Sequence, residues 1–227
     1  MSLHVKTATP APEKTRDYWR RAGFEPDSTG LLSDGQVRIE IDEARTARPG
    51  IVLRRTDLET VRQALAEFGP QHDLPSGDGF LIAAPSGTWV TVQTGPSLPA
   101  PTPGESAAPL GSYAGISLET ARFEESIRFW QALGFERTAG AEEQGWMSLT
   151  SEAAGTVSVM KPFACPHLFF NPGLTYFNSG RNPEILAELR RRGVEFAEEV
   201  TAFNERGEVD NVVLRDPGGL GVFVFND

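Results

Sequence analysis

Glu119 is the carboxylate whose neighbours best suit proton transfer. It ends an alternating run, Gly115-Ile116-Ser117-Leu118-Glu119, and period-2 alternation applied to the later strands sets it on one face with Tyr176, Phe223 and Phe225. A carboxyl desolvated among aromatic rings holds its proton to higher pH, which suits general acid or base work; a carboxyl in water at a rim, or against an arginine, does not. Both placements fit the sequence. Cys165 and His167, in Ala164-Cys165-Pro166-His167, are metal-ligand types, but no further partner stands at zinc-like spacing, so their nearness is read as chance. No Gly-rich loop ends in Lys-Ser or Lys-Thr and no Gly-x-Ser-x-Gly elbow occurs, which leaves nucleotide hydrolysis and acyl transfer without a motif.

The elements that must position these residues come in copies. The helix segment Glu13 to Glu25, with Tyr18-Trp19 and Gly23-Phe24, returns as Glu124 to Glu136, with Phe129-Trp130 and Gly134-Phe135; the offset is constant, since 130 − 19 = 111 and 135 − 24 = 111. Self-similarity over a whole amphipathic helix and its glycine stop marks a duplication. Within each half, strand, helix and strands occur twice. Helices are expected at 11–22, 58–68, 123–133 and 183–192, each followed by a glycine (Gly23, Gly69, Gly134, Gly193) where a left-handed residue ends a helix. Residues 96–111 carry Pro96, Pro99, Pro101, Pro103 and Pro109 among small polar residues, a composition that prefers extended backbone. They are read as a linker between domains at 1–95 and 112–227.

Bulk properties narrow the function. The 227 residues suffice for two small domains, and a net charge of −10 with no basic stripe disfavours nucleic acid as a partner. No apolar run approaches the roughly 20 residues of a membrane span. A single cysteine and an N-terminus without a signal-like pattern suggest a cytoplasmic protein.

Four βαβββ-like modules, the Phe129-Trp130…Leu133-Gly134-Phe135 helix end and the Leu214-Arg215-Asp216-Pro217-Gly218-Gly219 turn before a last alternating strand resemble the vicinal oxygen chelate superfamily of glyoxalases, bleomycin-resistance proteins and extradiol dioxygenases. The resemblance implies an α+β fold in which modules pair into two glyoxalase-like domains, each a curved mixed sheet around a cavity. The first half matches more loosely, because its last turn is Ala84-Pro85-Ser86-Gly87.

Alternation then sorts the strands into a helix-packed face and a cavity face. In the second domain the packed set is Ile116, Leu118, Met147, Leu149, Val157, Val159, Thr175, Phe177, Val222 and Val224. The expected ligand-binding residues are Ser117, Glu119, Trp146, Tyr176, Asn178, Phe223 and Phe225, on the same face as Gly115 and Leu174. In the first domain the cavity set is polar: His4, Lys6, Arg38, Glu40, Asp42, Arg54, Thr91 and Gln93, with Gly50, Val52 and Trp89. Metal enzymes of the superfamily place His, Glu or Gln on the first and last strands of modules, and three protein ligands are needed to hold a catalytic ion. Transferring those positions gives His4, Gly50 and Thr91, then Gly115, Leu174 and Phe223, with Glu40 or Asp42 able to join His4. No metal and no other cofactor is therefore expected, and His4 with its acids reads as a hydrogen-bonded polar wall.

The favoured reading is a metal-free, bleomycin-resistance-like binder of an apolar or aromatic small molecule in the second cavity, and not an enzyme. A second reading is a glyoxalase-type lyase or isomerase, or a ring-cleaving dioxygenase, that uses a divalent metal. A third is a scaffold or regulator whose aromatic face closes an interface. Paired modules within one chain suit a monomer, and a homodimer stays open.

Overall fold

The computed structural model describes residues 1–101 and 110–226; Pro103 and Pro109 of the expected linker lie outside the described residues. The first module comprises β1 (Ser2–Ala8), α1 (Pro12–Arg21), β2 (Glu25–Pro26), β3 (Leu32–Ser33) and β4 (Arg38–Asp42). The second comprises β5 (Gly50–Arg55), α2 (Leu58–Ala64), β6 (Gln71–Asp73), β7 (Gly79–Ala83) and β8 (Trp89–Thr94). The third holds β9 (Ser112–Glu119), α3 (Phe123–Ala132), β10 (Glu136–Ala141), β11 (Trp146–Ser151) and β12 (Gly155–Met160). The fourth holds β13 (Gly173–Phe177), α4 (Asn182–Arg191), β14 (Phe196–Val200), β15 (Asn211–Arg215) and β16 (Gly221–Phe225).

Each pair of modules makes one eight-stranded mixed sheet, in the orders β2-β3-β4-β1-β5-β8-β7-β6 and β10-β11-β12-β9-β13-β16-β15-β14. The seam of each sheet is the antiparallel pair of module-leading strands, which sets His4 opposite Val52 in the first sheet and Gly115 opposite Thr175 in the second. Strands β1 and β4 then run parallel, as do β5 and β8. A parallel return requires a crossover connection, and the βαβββ order supplies one in every module. The helices are shaped to cover one face. On α1, Thr15, Tyr18 and Trp19 are buried at i, i+3 and i+4, and Ser126, Phe129 and Trp130 repeat that spacing on α3. All four glycines expected to stop helices have positive φ.

The helix-covered faces of the two sheets share one continuous apolar core. Phe68 meets Phe129 across the halves with ring centroids 5.3 Å apart. Polar ties reinforce the junction. Trp19 Nε1 donates to Asp216 Oδ2 at 2.9 Å, Arg55 Nη1 to the Leu133 carbonyl at 2.9 Å, and the Tyr176 hydroxyl to Asp34 Oδ2 at 2.8 Å. The duplication is imperfect at this junction. Asp216 opens the second domain's last turn, whereas the matching turn of the first begins with Ala84, and Trp130 Nε1, the counterpart of Trp19 Nε1, is buried without a hydrogen-bond partner among the described residues.

The packed faces read from alternation hold for eight of nine strands, and β13 is reversed. Leu174 and Tyr176 belong to the core, while Thr175 and Phe177 face the cavity. The register pairs Leu174 with the packed Ile116 and Thr175 with Gly115, and a strand whose last four residues are Leu, Thr, Tyr and Phe offers no polarity contrast to mark its faces. Tyr176 is therefore a core residue that ties the domains together rather than a cavity wall. Asn178 lies beyond the strand, where Asn178 Nδ2 donates to the Leu110 carbonyl at 3.1 Å and to Asn182 Oδ1 at 2.5 Å.

Candidate functional site

The concave face of the second sheet is divided by the segment that joins β12 to β13, residues 161–172. Two anchors hold this segment down. The Glu119 backbone amide donates to Asn171 Oδ1 at 2.8 Å while Asn171 Nδ2 donates to the Glu119 carbonyl at 2.7 Å, and Glu119 Oε2 accepts from the Phe163 amide at 3.3 Å. At the other end the Leu168 amide donates to Glu198 Oε2 at 2.6 Å. Between them, His167 and Phe169 lie on the aromatic stripe: the His167 ring is 5.1 Å from both Phe223 and Phe225, and Phe169 is 4.9 Å from Phe223. Phe223 is thereby 1% exposed and belongs to a small satellite core with Val200 and Val213. The stripe read from the sequence is on the expected face, but the chain's own aromatic groups cover it.

What remains open is a cavity of about 430 Å³ over β9, β11, β12 and β13. Its floor carries two hydroxyl pairs, Ser117 Oγ with Thr175 Oγ1 at 2.7 Å and Ser148 Oγ with Ser158 Oγ at 2.7 Å. Trp146, Phe177 and Met160 form apolar walls, and Ala164, Cys165 and Gln144 close one side. Trp146 and Phe177 are 36% and 38% exposed, unusually open for such large rings. The Cys165 thiol lies 3.3 Å from Met160 Sδ. Burial first, and then the Glu119 carboxylate, push its pKa above the usual thiol range, so it stays protonated and weakly nucleophilic at neutral pH.

Of the residues expected to bind a ligand, the structure brings Ser117 and Trp146 into this cavity and places Glu119 at its edge as a tether of the covering segment. Phe223 is covered and Phe225 partly covered, and Tyr176 and Asn178 are structural. Thr175, Phe177, Cys165 and Gln144 were missed. The first two follow once β13 is registered correctly against β9; the others come from a crossover segment and a short 3-10 turn, where alternation carries no signal.

The first sheet's concave face is a charged ladder. His4 Nε2 meets Glu40 Oε2 at 3.0 Å, and Lys6 Nζ bridges Glu40 Oε1 at 3.2 Å and Asp42 Oδ2 at 3.1 Å. Burial raises the Glu40 carboxyl, but the His4 hydrogen bond and the Lys6 ammonium outweigh it and leave the pKa below the usual carboxylate range. Arg38 stands apart, paired with Asp27 and donating to the Pro99 carbonyl at 2.7 Å. Thr91 and Gln93 sit on β8 level with Val52 and Arg54.

This donor set does not fit a catalytic metal. The residues level with one another on the leading and last strands are His4, Val52 and Thr91 in one domain and Gly115, Thr175 and Phe223 in the other. They include one imidazole, already bound to Glu40, and the charge that an ion would supply beside Glu40 and Asp42 comes from Lys6. Among the described residues no group of three or more His, Cys, Asp or Glu side chains is gathered.

No family sequence model and no curated protein sequence matches the chain. Solved structures do. The Mn(II)-bound glyoxalase from Novosphingobium aromaticivorans matches with a TM-score of 0.60 at 15% identity, covering 98% of this chain and 80% of that one. The 2,3-dioxygenase LapB from a Pseudomonas species matches with a TM-score of 0.61 at 15% identity, over 99% and 91% of the two chains. A 2,2',3-trihydroxybiphenyl 1,2-dioxygenase from Sphingomonas wittichii gives 0.55 at 16% identity, over 100% and 89%. The chain thus shares the two-sheet fold of these glyoxalase and dioxygenase structures. No helix among the described residues is long and apolar enough to cross a membrane.

Proposed function

We propose that the second domain binds an uncharged planar aromatic molecule between Trp146 and Phe177, in the manner of a bleomycin-resistance-like binding protein and without a metal. One observation carries this reading: the lining of the cavity contains no side chain charged at neutral pH. An ion entering it would shed water with no counter-charge to replace it, whereas an aromatic ring loses nothing and gains two apolar walls. The volume is within the roughly 300–1,000 Å³ usual for small-molecule sites. Burying one ring against these walls contributes about 1.5–3 kcal/mol before ordering costs. The hydroxyl pairs of the floor can rotate to donate to, or accept from, a polar edge of the ligand. Absence of a metal is supported by the donor set, which offers the second cavity no imidazole or carboxylate at the leading-strand and last-strand positions.

The test is a fluorescence titration with 2-naphthol and with 2-naphthoate, which share a ring system and differ in charge at neutral pH, together with elemental analysis of the protein dialysed without chelator. The proposal expects saturable binding of the neutral compound, at least about tenfold weaker binding of the anion, corresponding to about 1.4 kcal/mol, and protection of Cys165 from alkylation by the neutral compound. Equal affinity for both compounds would overturn the ligand class. One equivalent of manganese, iron, nickel or zinc per chain would overturn the metal-free part and return the protein to the metal-dependent enzymes of its fold.

A further inference from the structure

Four hydroxyls form a row across the floor of the aromatic cavity. Ser148 on β11 is level with Ser158 on β12, and Ser158 is level with Ser117 on β9. On β13 the level position is Gly173, where the Phe223 ring occupies the space a Cβ would need, so the row is completed by Thr175, two residues along. All four side chains line the cavity. They are joined in pairs, Ser148 Oγ with Ser158 Oγ and Ser117 Oγ with Thr175 Oγ1, each at 2.7 Å. Among the described residues no hydrogen bond links one pair to the other or ties any of these hydroxyls to a backbone carbonyl.

Counting protons gives the chemistry that suits this floor. Each hydroxyl has one proton to donate and two lone pairs to accept with. A pair spends one of its two protons on its own bond, so each pair keeps one proton with no acceptor in the chain, and the floor keeps two. A donor left unmet beneath a ring that has displaced water costs more than an idle lone pair. An unsubstituted arene meets neither proton, and a phenolic oxygen resting on one pair meets one. Two carbonyl oxygens, one at each pair, meet both. Ser158 and Ser117 belong to adjacent strands about 4.8 Å apart, which is close to the separation of two carbonyl oxygens carried on one ring. The acceptors are neutral carbonyls rather than carboxylates, because the lining holds no cation to replace the hydration of an anion. Gln144 is exposed at the mouth, where its amide is solvated and does not compete for the floor.

We propose that the ligand of the second domain is a neutral aromatic dicarbonyl compound, such as a cyclic aryl imide, with one carbonyl oxygen accepting from the Ser148–Ser158 pair and the other from the Ser117–Thr175 pair. This inference rests on the aromatic-binding reading of the same cavity and adds to it the groups that the ligand's polar edge must carry.

The experiment is calorimetric titration of the full chain with 2-methylindane, 2-methyl-1-indanone and N-methylphthalimide, which share a fused-ring outline and carry no, one and two carbonyls, with 2-naphthol run alongside. Affinity is expected to rise about fivefold with each carbonyl. The double variant Ser117→Ala/Thr175→Val should bring N-methylphthalimide down to the affinity that the indanone has for wild type, while binding 2-methylindane at least as tightly as wild type does. Thr175→Val alone should keep most of the preference, because Ser117 still has its proton to give; an equal loss in the single and double variants would point to cavity shape and overturn the proposal. If 2-naphthol binds but the three compounds bind equally or in the reverse order, the dicarbonyl inference falls and the aromatic site stands. If neither 2-naphthol nor any of the three binds, both fall together. Should the double variant not fold, Ser148→Ala/Ser158→Ala, at the half-buried pair, makes the same test.

Discussion

Adjacent residues on β13 should give opposite phenotypes. Tyr176 points into the shared core and donates from its hydroxyl to Asp34 Oδ2 at 2.8 Å, with burial and the Asp34 charge holding its own pKa well above the ordinary phenol range, so the proton stays on the donor. Tyr176→Phe removes that hydrogen bond and leaves Asp34 Oδ2 with only a long contact to Gln36 Nε2 at 3.4 Å. A hydrogen bond to a buried charged group contributes about 1.5–3 kcal/mol. For a chain of this size each kcal/mol moves Tm by roughly 2–4 °C, so the variant should melt about 3–12 °C lower. Its affinity for 2-naphthol should match wild type. Phe177→Ala, one residue away, should lower that affinity about tenfold and change Tm by no more than about 2–4 °C, because the ring is already 38% exposed. Calorimetry and fluorescence titration on the same two preparations decide the matter. If Tyr176→Phe weakens binding without lowering Tm, or Phe177→Ala costs stability without affecting binding, the strand faces the other way and the cavity assignment falls with it.

The duplication gives a matched comparison: Trp19→Phe breaks a buried bond to Asp216 and should cost about 1.5–3 kcal/mol more than Trp130→Phe, whose indole nitrogen has no partner, by chemical denaturation. Two buried carboxyls should respond to pH with opposite signs. Asp216, raised chiefly by burial, binds more protons in the native state, so its contribution falls as pH rises from the ordinary carboxylate range through its native pKa, and Asp216→Asn should gain on wild type over that window. Glu40, lowered by His4 and Lys6 against the effect of burial, contributes stability above the ordinary range that is lost as pH falls through its native pKa; Lys6→Met should shrink that acid-side loss in urea titrations at stepped pH. Glu119→Ala removes both a tether of the covering segment and the charge that opposes Cys165 ionisation, so alkylation of Cys165 should accelerate several-fold at constant pH.

The repeat of Tyr18-Trp19 as Phe129-Trp130, the four glycine stops and the alternation of Val, Ile and Leu determined the modules, their pairing and most of the buried faces, because each is a local signal repeated at fixed spacing. The polar ladder was equally legible: His4, Lys6, Glu40 and Asp42 alternate on adjacent strands, and unlike charges on one face must meet. Three things belonged to the tertiary structure. The face of β13 depended on its register against β9, which sets Leu174 opposite Ile116 and Thr175 opposite Gly115 and which Leu174-Thr175-Tyr176-Phe177 does not encode. The covering of Phe223 and Phe225 depended on where residues 161–172 fold, and irregular backbone has no period from which to read a position. The unmet bond of Trp130 Nε1 among the described residues is an absence, fixed only when every other donor and acceptor has been placed; sequence lists the groups a chain carries, but packing alone decides which of them are left without a partner.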